Sequence, residues 1–137
     1  PGIVCPIMDA RRNQVYTGMY SFENGQLCVI EPQMAIGIDG LAEKLNQCGQ
    51  PVIFLGDGVP VFGSYIKENC KAPYLFAPAH MNKQRAGSVA WLGIQYAKAG
   101  RLETAAEHRP DYLRMSQAER ERKERLEAEK AKGAGKE

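Results

Sequence analysis

The sequence predicts an α/β fold on a mixed sheet: an antiparallel three-strand meander, then α-β-α-β-α, then a charged C-terminal helix. Three observations carry this expectation. Residues alternate with period two on either side of Asn24-Gly25, which marks a hairpin within the first thirty positions. After Pro32 the apolar residues fall at helical spacing instead. The apolar run Val52 to Leu55, bounded by Pro51 and Gly56, reads as a parallel strand between two helices.

Taken in order, Ile3 to Met8 is apolar and strand-like, and Asp9 to Asn13 supplies the first reversal. Gln14 to Phe22 sets Tyr16, Gly18, Tyr20 and Phe22 on one face against Val15, Thr17, Met19 and Ser21 on the other. Asn24-Gly25 tolerates the positive φ angles of a type I′ turn, so Leu27 to Ile30 returns antiparallel. Ile38, Leu41, Ala42, Leu45 and Cys48 form the apolar face of a helix, Glu43, Lys44, Asn46 and Gln47 fill its other face, and Gly49 ends it. Val52 to Leu55 is expected to be central and covered on both faces. A second helix, Val59 to Asn69, places Phe62, Tyr65 and Ile66 together and accepts Pro60 in its first turn, where a missing N–H is no loss. Tyr74 to Phe76 is a short strand. Gln84 to Lys98 is the longest apolar-rich helix, with a stripe of Ala86, Val89, Ala90, Gly93 and Ala97 suited to close packing, and Gly100 stops it. Ser116 caps a charged tail helix with Glu119 at its third position.

These elements suggest one lobe over residues 1–114 and a charged, partly disordered helical tail over 115–137. A chain of 137 residues is the usual size of one domain. Its 44% apolar and 25% charged residues are those of an ordinary globular protein. No apolar run approaches the roughly 20 residues of a membrane helix, and the opening at Pro1 shows neither a secretory leader nor an initiator Met, as expected of a fragment. Cys5, Cys28, Cys48 and Cys70 lie among apolar neighbours without a Cys-x-x-Cys pair, which predicts four buried reduced thiols and a cytoplasmic protein. The net charge is only +2, and residues 116–137 nearly balance seven basic against six acidic side chains, so strong nucleic-acid binding is not indicated. Tyr16, Tyr20, Tyr65 and Trp91 are expected in the core rather than as base-stacking platforms.

Candidate chemistry is sparse. His80 and His108 belong to no metal-binding pattern, no Gly-x-Ser-x-Gly elbow exists, and neither a metal nor a cofactor is expected. Gly56-Asp57-Gly58 is a turn feeding a helix, and such a turn can offer backbone N–H groups to a nucleotide phosphate. The Asp57 carboxylate opposes that, and glycines serve such a turn for conformational reasons alone. Asp9, Arg11 and Arg12 cluster at the first reversal, where they can shape a ligand site or pin the hairpin.

Four segments carry a more specific signal: Asp9-Ala10-Arg11-Arg12-Asn13-Gln14-Val15-Tyr16, Leu55-Gly56-Asp57-Gly58, Ala86-Gly87-Ser88-Val89-Ala90-Trp91-Leu92-Gly93, and Pro110-Asp111-Tyr112-Leu113-Arg114 with Ser116-Gln117-Ala118-Glu119-Arg120. In this order they resemble the C-terminal lobe of the TsaB (YeaZ) family of tRNA threonylcarbamoyladenosine biosynthesis proteins, once labelled glycoproteases or M22-like peptidases. The resemblance implies an RNase H-like, actin-like ATPase (ASKHA) lobe and a non-catalytic scaffold role, with peptidase activity unlikely. It implies work beside a TsaD-like catalytic subunit and a TsaE-like ATPase, contacted mainly through an N-terminal lobe that this sequence does not contain. It also implies a possible homodimer, and contact with tRNA only indirectly. Two other readings stand beside it: a nucleotide-binding lobe of an actin-like ATP-dependent enzyme, and an RNA-binding module using the basic tail.

Overall fold

In the computed structural model, residues 2–113 together with Arg122 and Arg125 are described. Among the described residues the main elements are five strands, two well-packed helices and a third, outlying helix. The strands are β1 (Ile3–Asp9), β2 (Gln14–Glu23), β3 (Gln26–Gly37), β4 (Val52–Leu55) and β5 (Tyr74–Phe76), and the helices are α1 (Ile38–Cys48), α2 (Gly58–Asn69) and α3 (Ala86–Lys98). The sheet order is β3-β2-β1-β4-β5. β1, β2 and β3 form the antiparallel meander, while β4 runs parallel to β1 and β5 parallel to β4. The expected order and mixed sheet are therefore present.

Alternation in β1 decides where the core lies. Ile3, Cys5 and Ile7 are buried, joined by Val15, Thr17 and Met19 from β2 and by Val52 and Phe54 from β4. Against them α1 lays Ile38, Leu41 and Leu45, and α2 lays Phe62 and Ile66. One face of the sheet is thus closed by two amphipathic helices, and burying each aliphatic or aromatic side chain there contributes roughly 1.5–3 kcal/mol. Phe54, Tyr74 and Phe76 pack edge-to-face or tilted, with ring centroids 5.5 to 6.1 Å apart, and extend this packing to the β5 edge.

Turn chemistry matches the sequence. Asn24 and Gly25 take φ of 52° and 78°, the left-handed pair that a tight hairpin needs. Gly49 closes α1 at φ 63°, its N–H donating to the carbonyl of Leu45.

Several expectations are corrected. β3 does not end before Pro32 but runs on to Gly37, with register shifts opposite Thr17 to Tyr20. It is an edge strand, so proline's missing N–H costs no ladder bond there, and bulges absorb the mismatch. β4 is internal, but the centre of the sheet is β1, and β4 is not covered on both faces: Ile53 is 36% exposed. The buried side of β2 is the Val15, Thr17, Met19 side, which leaves Tyr16 and Tyr20 half-buried on the opposite face. Trp91 is 52% exposed, and no residue of α3 is buried, so its small-residue stripe is exposed rather than closely packed. Of the four thiols only Cys5 and Cys70 are buried; Cys28 is half-buried and Cys48 exposed, and all four are free. The predicted tail lies outside the described residues, apart from Arg122 and Arg125, which are helical and exposed.

Candidate functional site

β1 and β4 are parallel neighbours, so their carboxyl ends open side by side, the position at which open α/β sheets form ligand crevices. The two candidate clusters from the sequence meet here. Asp57, at the start of α2, does not cap its own helix; its Oδ1 accepts the N–H of Asp9 at 3.1 Å and so ties the β4–α2 turn to the end of β1. Asp9 in turn organises the first reversal, since its Oδ1 accepts the Arg11 N–H at 2.8 Å and its Oδ2 meets the Arg11 guanidinium at 3.0 Å. The guanidinium is 85% exposed, which limits that pair to a small stabilisation. Arg11, Arg12 and Asn13 all carry φ between 55° and 63°, and Arg12 is exposed.

The glycines at this edge are required by close approach. Gly56 has φ +103°, and a Cβ there would collide with the Ile7 carbonyl oxygen; a Cβ on Gly58 would lie 2.9 Å from the same atom. The turn is therefore folded directly over β1, and its glycines are accounted for without a phosphate.

Beside the turn lies an open cavity of about 550 Å³, within the usual size of small-molecule sites. Pro6, Met8 and Leu55 floor it, and the chain leaving β5 returns over it through Met81 to Arg85 into the first turn of α3. Asp57, Lys83 and Arg85 bring charge to its rim. The Oδ1 of Asn82 is shielded from solvent and has no hydrogen-bond partner among the described residues. None of the residues from Asn82 to Val89 was singled out from the sequence as a site. The one legible sign was the basic pair Lys83 and Arg85 just ahead of a helix.

Elsewhere the chemistry is quiet. Among the described residues no group of three or more His, Cys, Asp or Glu is placed to hold a metal. His80 is exposed, and His108 Nδ1 lies 3.1 Å from Glu103 on the surface. Burial pushes the Cys5 thiol up to about 11, against a weaker opposing hydrogen bond from Thr17, and burial likewise raises Cys70, so neither thiol suits a nucleophile. No described helix is long and apolar enough to cross a membrane.

A βββαβαβ core in the order 3-2-1-4-5, with a further helix beyond it, defines this chain as an RNase H-like, actin-like α/β lobe. Solved structures agree: YeaZ from Pseudomonas aeruginosa matches 81% of this chain and 50% of its own with a TM-score of 0.61 at 18% identity. A protein described as similar to peptidase YeaZ from Pseudomonas aeruginosa matches 82% and 50% with a TM-score of 0.56 at 19% identity. In sequence, the tRNA threonylcarbamoyladenosine biosynthesis protein TsaB of Bacillus subtilis (strain 168) is 33% identical over 120 residues, which are 86% of this chain and 50% of that protein. The chain belongs to the TsaB (YeaZ) family, and it spans about half the length of the relatives it matches. No family model matches it.

Proposed function

We propose that this chain is the second lobe of a TsaB-type scaffold in tRNA threonylcarbamoyladenosine biosynthesis, acting in the cytoplasm beside a TsaD-like catalytic subunit and a TsaE-like ATPase. The observation that carries the reading is the 33% identity to TsaB over 86% of the chain. The inertness of the buried thiols and the scattered histidines support a non-catalytic role. Reconstitution tests it. A full-length relative in which these residues replace the matching half should support threonylcarbamoyl transfer to tRNA with TsaD, TsaE and ATP; loss of transfer with the fold intact by circular dichroism would overturn the reading.

The second reading, a nucleotide-binding lobe, is favoured by one observation: the Gly56–Gly58 turn and the start of α2 stand at the carboxyl edge of the sheet. Against it stands the exposed Asp57 carboxylate at that helix start. Calorimetry with ATP and magnesium decides between them, saturable binding that Asp57→Asn strengthens being the result that favours nucleotide.

A further inference from the structure

We infer that the cavity at the carboxyl ends of β1 and β4 is a binding site for a free α-amino acid with an apolar side chain: Lys83 and Arg85 take its carboxylate, Asp57 its ammonium group, and Met8 and Leu55 the side chain.

The charges around the cavity, two positive and one negative beside an apolar floor, point to this ligand class. Among the described residues neither Lys83 nor Arg85 pairs with a carboxylate; the only polar contact of the Arg85 guanidinium is the Met81 sulfur at 3.2 Å. Two cations beside a cavity, with the uncapped first turn of α3 behind them, call for an anion. Asp57 uses Oδ1 for the Asp9 N–H and lines the same cavity, which leaves its Oδ2 to accept from a charged N–H donor. A phosphate ester suits Lys83 and Arg85 but is repelled by the Asp57 carboxylate. A simple carboxylate leaves Asp57 without a counter-charge, and an amine leaves Lys83 and Arg85 without one. A zwitterion matches all three charges, and the apolar floor of Pro6, Met8 and Leu55 accepts a hydrocarbon or thioether side chain.

The test uses the whole chain and three probes titrated by calorimetry: L-methionine, N-acetyl-L-methionine, which lacks the ammonium, and L-methionine methyl ester, which lacks the carboxylate. The expected result is saturable binding of L-methionine, with each derivative weaker by roughly tenfold or more, the cost of leaving a charged hydrogen-bond partner unmet. Asp57→Asn should weaken L-methionine by a similar factor yet leave the N-acetyl derivative at least as tight as before. Arg85→Gln should do the converse with the methyl ester, so that a merely unfolded variant, which loses every ligand, is told apart from the expected pattern. Absence of L-methionine binding at millimolar concentration overturns the inference, as does equal binding of all three probes. ATP displacing L-methionine more tightly from Asp57→Asn than from the unchanged chain also overturns it, in favour of a phosphate ligand. The assay contains no tRNA and no partner protein, so its failure leaves the scaffold reading untouched, and failure of reconstitution leaves the amino-acid site standing.

Discussion

Asn46 shows how much one side chain can carry without advertising it. On a helical wheel it is one more polar residue on the outer face of α1, yet its Nδ2 donates to the Asn69 carbonyl at 3.0 Å while its Oδ1 accepts the N–H groups of Lys71 at 2.6 Å and Ala72 at 3.2 Å. One amide therefore fastens α1 to the connection between α2 and β5. Asn46→Ala strips partners from three backbone groups, one of them on buried Ala72, and is expected to cost about 1–3 kcal/mol in urea unfolding; Asn46→Asp, which keeps both accepted bonds, should cost less. The partners lie more than twenty residues away in sequence, so no local pattern could have revealed them. Cys5 is a second case. Its burial was legible in the alternation of β1, but the consequence for titration needed the packing. The folded thiol ionises near 11 against an ordinary 9.0, so the unfolded chain gives up its proton first as pH rises. Stability should be flat below pH 9 and fall by about 2–3 kcal/mol between pH 9 and 11 from this group, a slope that Cys5→Ala removes. An unchanged slope in that variant would assign the loss to other groups.

At the scale of elements, what the sequence made legible was whatever depended on neighbours along the chain. The Asn24-Gly25 hairpin, the glycine stop of α1 and the proline in the first turn of α2 are local devices, and each lies where its own chemistry places it. What depended on position in the sheet was not legible. Pro32 reads as a strand terminator until β3 is known to lie on an edge, and Val52 to Leu55 reads as fully covered until one face is seen to be open. The candidate site divides the same way. Asp9, Arg11 and the Gly56–Gly58 turn were visible as sequence features, but the Asp9–Asp57 hydrogen bond that joins them spans forty-eight positions, and Asn82, Lys83 and Arg85 enter the cavity only because the chain after β5 doubles back. The β4–α2 turn supplies a stability test of its own. Gly56→Ala combines a strained φ of +103° with a clash on the Ile7 carbonyl, whereas Gly49→Ala at φ 63° meets nothing within 4 Å. The first should destabilise by about 2 kcal/mol or more and the second by about 1 kcal/mol, as midpoint shifts in urea. Equal shifts would mean that the turn yields away from β1.

For the molecule as a whole, the two faces of the sheet are unlike. One is sealed by α1 and α2, and among the described residues every member of the buried core cluster lies between Ile3 and Ala72. The other keeps Met8, Phe22, Ile53 and Leu75 at least a third exposed, with α3 standing off it and its Val89, Trp91 and Ile94 more than half exposed. The helical period of α3 was plain in sequence, and so was its apolar character; its burial was inferred from that character, and hydrophobicity alone does not say which surface a helix meets. This asymmetry has a direct consequence, because a segment that contributes nothing to the core should contribute little to the cooperative unit. A chain ending at Lys83, with α3 and everything after it removed, is therefore expected to unfold in a single cooperative transition, its free energy within about 1 kcal/mol of that of the whole chain. The sole tryptophan, Trp91, provides an internal check in the intact protein. Being half exposed already, it should be readily quenched by acrylamide in the native state and change its emission little during a denaturant titration that abolishes the far-ultraviolet circular dichroism. Coincident large changes in both signals, together with failure of the shortened chain to fold, would mean that α3 closes onto the open face in solution and belongs to the core after all.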